Sequence, residues 1–310
     1  MVITLTLSPC LDKTYVVDGL VPDRLNYASK SVLLPGSKGV NVSRMLTSLA
    51  VPSIAVGFCG GTLGYLFKTL LDMENVRYDF VETKTEIRFN VKIADRVKNI
   101  FTDVNERQEN VSPQEFDRLI ELYKKHIKSA SFIVIAGSAR TEMPKDVYNE
   151  FIRIANAEGK RVLLDTKGEE LKYAIYEHPH LIAPNHYELS EYAGKELTTA
   201  EDIVPVLTEI HKSGVAYAIA TMAEKGAVMV CKEGTYKMTP PTVTAINTTG
   251  AGDSFLAGII YGMKNNADSV RMLKLAGSIS SAKVTRSDTS MPNMIEALGL
   301  LDLVKVERLC

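Results

Sequence analysis

Two stretches of this sequence place glycines beside a charged side chain at what reads as the start of a helix. The first is Asn247-Thr248-Thr249-Gly250-Ala251-Gly252-Asp253-Ser254-Phe255, followed by the helical pattern Leu256 to Lys264. A helix N-terminus carries unpaired N–H donors and about half a positive charge, so small residues there favour an anion or an oxygen on which negative charge develops. Asp253 beside such donors is either a residue that complements the dipole or a base, and the segment by itself leaves both open. The second stretch, Pro35-Gly36-Ser37-Lys38-Gly39-Val40-Asn41-Val42, runs into the amphipathic spacing Val42, Met45, Leu46, Leu49. Its glycines let the backbone approach a ligand closely while the Lys38 ammonium reaches an anion.

Other candidates sit where strands end. Val2 to Leu7 reads as a strand stopped by Ser8-Pro9, which puts Asp12 near its carboxyl end, either to accept hydrogen bonds from sugar hydroxyls or as an Asx-turn residue. The segment Glu86 to Ala94 alternates Ile87, Phe89, Val91 and Ile93 against Arg88, Asn90 and Lys92, a half-buried strand whose polar side is either a solvated sheet face or a place for Arg88 to grip a phosphate. Asn185 and Glu188, at i and i+3 after a strand, read either as ligands for hydrated Mg²⁺ and phosphate or as a helix cap with a surface acid. Thr221, Glu224 and Gly226 lie in a turn where a nucleotide would rest. The chain contains neither a G-x-x-x-x-G-K-[ST] loop nor a G-x-G-x-x-G fingerprint, so the P-loop and dinucleotide routes are closed. His178-Pro179-His180 fits no metal-binding pattern and reads as a solvated loop.

The elements that must position these residues follow a regular rhythm. A capped helix from Ser112-Pro113 with Glu115 runs to Ser129, and Phe132 to Ala136 is a strand ending in Gly137-Ser138. A helix from Pro144 to Ala157 leads to strand Arg161 to Leu164, ending at Asp165; strands Leu181 to Ala183 and Ala216 to Ala220 follow. This alternation predicts an α/β fold: one mainly parallel sheet with helices on both faces and a ligand crevice along its strand ends. Tyr15 to Val17, Asn26 to Leu34 and Asp95 to Thr102 predict a small β-stranded lid. Of 310 residues, 36 are basic and 37 acidic, a net charge of −1, so no bulk field recruits nucleic acid or an anionic membrane. Lys124-Lys125-His126 reads as a solvated helix face. Cys10, Cys59, Cys231 and Cys310 lie far apart, and with no membrane span or basic leader the expected location is a reducing cytoplasm.

Four elements in order, T-L-S-P-x-x-D around Asp12, G-S-K-G-x-N-V at Gly36 to Val42, Pro184-Asn185 with Glu188, and T-T-G-A-G-D-S-F at Thr248 to Phe255, carry a family resemblance. The chain resembles the ribokinase-like sugar kinases of the PfkB group, in particular the 1-phosphofructokinase and tagatose-6-phosphate kinase branch. The resemblance implies a single kinase domain over residues 1–310, with lid strands from about 11–34 and 87–104. It implies transfer of phosphate from ATP, with Mg²⁺, to a hydroxyl of a ketohexose phosphate. Asp253 would be the general base, and the N–H groups of Gly250, Ala251 and Gly252 an anion hole. Asp12 and Asn41 would bind sugar hydroxyls, with the backbone at Gly36 and Gly39 close by. Lys38, Arg88 and Ser138 would hold the substrate phosphate or, for Lys38, the phosphoryl group in transit. Asn185 and Glu188 would organise Mg²⁺, and Asn185, Thr221, Glu224 and Gly226 the ATP side.

The chain also departs from that branch. Ser37 stands where the pattern has glycine, Ala139-Arg140 where it has Leu-Pro, Ala183 where it has lysine, and Thr221-Met222-Ala223 where it has S-L-G. Arg140 would add a cation near the substrate phosphate. Arg88-Phe89-Asn90-Val91-Lys92 favours fructose 1-phosphate, giving fructose 1,6-bisphosphate. Tagatose-6-phosphate kinase, 6-phosphofructokinase, a nucleoside kinase and a non-catalytic sugar-phosphate or nucleotide-binding regulator are the alternatives. The lid strands predict a homodimer, across which Arg24 would reach a partner's site.

Overall fold

The computed structural model describes residues 1–140, 142–286 and 290–309. The chain opens with β1 (Val2–Thr6), β2 (Cys10–Val17), β3 (Lys30–Gly36), α1 (Lys38–Ser48), β4 (Ser53–Gly60), α2 (Gly61–Met73), β5 (Tyr78–Thr83), β6 (Arg88–Asp95) and β7 (Ile100–Asn105). It continues with α3 (Pro113–Ile127), β8 (Phe132–Ala136), α4 (Val147–Ala157), β9 (Arg161–Asp165), α5 (Gly168–Ile175), β10 (Leu181–Ile182), α6 (His186–Ala193) and α7 (Ala200–Lys212). The last elements are β11 (Tyr217–Thr221), β12 (Ala227–Cys231), β13 (Gly234–Thr239), α8 (Ala251–Lys264), α9 (Ser269–Val284), α10 (Met294–Leu298) and β14 (Lys305–Arg308).

The main sheet runs β14-β13-β12-β11-β10-β9-β8-β1-β4-β5. From β5 to β11 neighbouring strands are parallel, and β12, β13 and β14 close the far edge antiparallel. Parallel strands covered on both faces need apolar residues of both parities. β8 shows this: Ile133 and Ile135 join the core made with α3, α4, α5 and α7, while Phe132, Val134 and Ala136 join the core made with α1, α8 and α9. The chain order reverses at β1, which is followed by β4 and β5 on one side and flanked by β8 and β9 on the other. Ligands in open α/β sheets bind beyond the strand carboxyl ends at such a switch point. No helix among the described residues is long and apolar enough to cross a membrane.

The lid is a second sheet of order β3-β2-β6-β7. Its first strand corrects two expectations. β1 ends at Thr6 and Ser8-Pro9 carries the chain into β2, so Asp12 is neither at the end of β1 nor in an Asx-turn but inside a lid strand. The strand begins at Cys10 rather than Tyr15 because its inward face carries Cys10, Asp12 and Thr14, which hide the usual apolar alternation. β3 likewise begins at Lys30 rather than Asn26; Asn26 closes a loop instead, accepting from the Val21 amide and donating to the Val21 and Arg24 carbonyls. The basic face of α3 is not wholly solvated, since Lys125 and His126 both reach Asp79 of β5. His178 is exposed, but His180 packs edge-on against Tyr217, and burial pushes its imidazole down to about 4. Cys10, Cys59 and Cys231 are free and buried, and Cys310 lies outside the described residues.

Candidate active site

A cavity of about 1190 Å³ lies between the strand ends of the main sheet and the inward face of the lid. Period-two alternation points Cys10 and Asp12 of β2 and Arg88, Asn90 and Lys92 of β6 into it. β2 and β6 pair in parallel with Asp12 opposite Asn90, and the Asn90 amide donates to Asp12 Oδ1 at 3.0 Å. Three buried polar atoms on this wall have no partner among the described residues: Arg88 Nε, Asn90 Oδ1 and Gln108 Oε1. Burying such atoms unpaired is costly, so a donor and two acceptors left open here suit a ligand that carries both hydroxyls and negative charge.

Opposite the lid, Asp253 stands in the first turn of α8, whose N-cap Gly250 adopts a left-handed φ of 81°. Its carboxylate does not cap the helix. Oδ2 accepts instead from Asn41 Nδ2 at 2.8 Å, and the Asn41 side chain is oriented by Arg44, whose Nη1 donates to Asn41 Oδ1. Arg44 is buried, fixed by both oxygens of Glu74, and donates to the Pro35 carbonyl, so one guanidinium sets both the glycine loop and the amide facing Asp253. Burial pushes the Asp253 carboxyl up to about 7, helped by the charge of Asp165 and opposed by the Lys38 ammonium and the Asn41 hydrogen bond.

The α8 N-terminus supplies donors, though not the expected three. The Ala251 amide donates to the Thr248 carbonyl at 3.1 Å, closing the turn, while the amides of Gly250, Gly252 and Asp253 have no acceptor among the described residues. A Cβ on Gly252 would meet nothing within 4 Å, so this glycine faces open cavity.

Lys38, the first residue of α1, bridges two carboxylates: Asp165 at 2.7 Å and Glu188 at 3.0 Å. Burial by itself would lower the ammonium, but Asp165 and Glu188 hold it charged, above its ordinary range. Burial raises Asp165 and Lys38 opposes that rise. Asp165, at the carboxyl end of β9, was visible in the sequence only as a strand terminus; nothing near it in the chain marks it as a partner of Lys38, 127 positions away. Asn185 and Glu188 form a capping box on α6: Asn185 Oδ1 accepts from the Tyr187 and Glu188 amides, and Glu188 Oε2 accepts from the Asn185 amide. The cap consumes Asn185 Oδ1 and leaves Glu188 Oε1 facing Lys38.

Of the remaining candidates, Ser138, Thr221 and Glu224 line the cavity. Gly36, Gly39 and Gly226 do not, and packing explains each. A Cβ on Gly36 would stand 2.5 Å from the Asp12 carboxylate, one on Gly39 2.3 Å from Thr6 Oγ1, and one on Gly226 1.8 Å from the Met238 carbonyl. Gly226 also needs its φ of 95° to turn β11 into β12. Arg140 is a correction: it lies away from the cavity, buried, with Nε donating to the Leu7 carbonyl and the guanidinium over Phe58. The left-handed turn at Gly137 sends Ser138 and Ala139 to the cavity and Arg140 inward. Arg24 is exposed on the lid loop.

This arrangement of a buried carboxyl beside free helix N–H groups, facing a polar lid, sits on a chain with known relatives. The model of the pfkB family of carbohydrate kinases matches residues 5–296. The chain belongs to that family. It is 32% identical over 309 residues to 1-phosphofructokinase of Bacillus subtilis, covering 100% of both chains. The solved structure of phosphofructokinase-2 from Escherichia coli, in complex with substrates and products, superposes with a TM-score of 0.90 at 26% identity, over 97% of this chain and 98% of that one. A ribokinase from Arabidopsis thaliana, complexed with ribose and ATP, has a TM-score of 0.77 at 20% identity over 97% and 98%, a likeness of fold. The chain is thus a carbohydrate kinase of ribokinase-like architecture.

Proposed function

We propose that this protein transfers the terminal phosphoryl group of ATP to a hydroxyl of a ketohexose phosphate, with fructose 1-phosphate as the preferred acceptor and fructose 1,6-bisphosphate as product. The observation that carries this reading is Asp253: a buried carboxyl raised to about 7, held by Asn41 beside the free N–H groups of α8. A base with that value accepts a proton at neutral pH and still releases it afterwards. Asp253 takes the hydroxyl proton as the sugar oxygen attacks the terminal phosphorus, and the bond to the bridging oxygen of ADP breaks. The Gly250 and Gly252 amides face the oxygens on which charge gathers, which is where phosphoryl transfer gains most.

Asp12 with Asn90 would bind sugar hydroxyls, and Arg88 and Ser138 the phosphate already present. Lys38 would serve the group in transit. The wall formed by Pro240, Pro241, Val243, Ala245 and Val284 would receive the base of ATP, near Thr221 and Glu224; a bridge between Asn185 and Thr221 sets these side by side. Asp165 and Glu188 already converge on one cation, Lys38, and two hard carboxylates fit Mg²⁺ carried on nucleotide phosphates. When bound, that ion neutralises phosphate charge; Asn185 acts through the cap that orients Glu188. The lid's uncovered edge strand and loop, with Phe101, Val104 and Tyr27 57%, 59% and 81% exposed, support a homodimer of this single kinase domain, with Arg24 near the partner. A cytoplasmic setting suits free thiols and an ATP substrate.

The test is ADP release from ATP and Mg²⁺ with fructose 1-phosphate, fructose 6-phosphate and tagatose 6-phosphate. The highest kcat/KM is expected with fructose 1-phosphate. No ADP with any acceptor, while a sugar phosphate still raises the melting temperature, would instead establish a binding protein.

A further inference from the structure

Ser37 is the N-cap of α1, yet its φ is 94° and its ψ 145°, a backbone region that side-chain-bearing residues rarely adopt. A serine at an N-cap ordinarily recovers energy by accepting from the helix amides, and this one makes no such bond. Glycine would occupy the position without strain. The side chain therefore stands there against a local cost, with no hydrogen bond among the described residues that offsets it.

Its surroundings show what does. Ser37 lines the cavity, and its Oγ lies 3.6 Å from the point where a Cβ on Gly137 would stand, with the Lys38 Cβ 3.8 Å from the same point. The hydroxyl thus rests over the bare Gly137 turn, on the wall of the cavity that Ser138 and Arg88 also line, the two side chains assigned above to the substrate phosphate. We propose that Ser37 Oγ–H donates a hydrogen bond to the phosphate already carried by the sugar, making Ser37 a specificity-determining residue retained in spite of its backbone strain. The identity of that anion rests on the kinase reading above.

The experiment compares wild type with Ser37→Gly and Ser37→Ala by calorimetric titration of fructose 1-phosphate, and separately of ATP, together with thermal melting. Ser37→Gly relieves the strain and is expected to melt several degrees higher, while Ser37→Ala keeps the strain and gains nothing. Both are expected to bind fructose 1-phosphate roughly tenfold more weakly, the worth of one hydrogen bond to a charged group, with ATP affinity unchanged. A merely structural residue would not separate the two variants in stability while joining them in affinity. Undiminished sugar-phosphate affinity in both variants, or a Ser37→Gly protein no more stable than wild type, would overturn the proposal. Wild type that binds ATP but none of the ketohexose phosphates would refute the kinase reading itself, and this proposal with it, a result distinct from a loss confined to the variants.

Discussion

At the residue scale, the defining relation is between Asp253 and what surrounds it. Its carboxyl is buried near the carboxylate of Asp165, and among the described residues one hydrogen bond, from Asn41, and the Lys38 charge favour the ionised form. That environment makes the group useful and costs stability. The folded-state value of about 7 lies above the ordinary 3.8, so the stabilising contribution is fully present below about 3.8 and is lost as pH rises through about 7. Asp253→Asn removes the buried charge while keeping an oxygen for Asn41. Its melting temperature relative to wild type is expected to rise by a few degrees between pH 5 and pH 8. A melting difference independent of pH would place the carboxyl's titration elsewhere. The sequence brought Asp253, Lys38, Asn41 and Arg88 into view because each sits in a short segment of unusual composition. It did not bring in Arg44 or Asp165, since a buried arginine on a helix and an acid at a strand end look ordinary until their partners, Asn41 and Lys38, are placed beside them.

At the element scale, the N-termini of α8 and α1 do different work with similar glycines. In α1, Gly39 is small because Thr6 of β1 is close, whereas in α8 Gly252 has nothing near it. Spacing in the sequence cannot separate packing glycines from ligand-facing ones, because both kinds precede a helix; only the neighbouring strand distinguishes them. Gly252→Ala supplies a direct check. The added methyl finds free space in the empty site and improves helix propensity by up to about 1 kcal/mol, so stability is expected to hold or rise. Turnover is expected to fall by on the order of 10²-fold, the size found when one donor of an oxyanion site is compromised. Equal stability with near-normal turnover would remove this helix terminus from the reaction. The same limit applies to Asn185 and Glu188, whose spacing fits a cap and a cation site alike, and the fold uses it as a cap with one carboxylate oxygen left over.

At the scale of the whole molecule, the alternation of strands and helices was legible because parallel strands need apolar residues on both faces, and it placed the crevice along the strand ends; the switch point at β1 needs the strand order, which the sequence does not carry. The lid was legible as strands but the starts of its first two strands were not, since the inward face is polar and the loop between them is tied by Asn26. Its outer strand β7 carries Ile100, Phe101 and Val104, all exposed, on an edge strand uncovered along its length. Uncovered edges of this kind pair or aggregate. A homodimer mass is expected by light scattering at micromolar concentration, and Phe101→Glu with Val104→Glu is expected to give monomer with the fold intact. A monomeric wild type would confine the lid to covering its own site.

The central claim, that Asp253 is the base of a kinase acting on a ketohexose phosphate, is tested most directly by ADP release with saturating ATP and Mg²⁺ and limiting fructose 1-phosphate, from pH 5.5 to 9. For wild type, kcat/KM is expected to rise about tenfold per pH unit below about 7 and then level, because the free enzyme must hold the carboxylate. For Asp253→Asn it is expected to be lower by on the order of 10² or more, with ATP binding retained. Turnover by Asp253→Asn within a few-fold of wild type across that range would contradict the account.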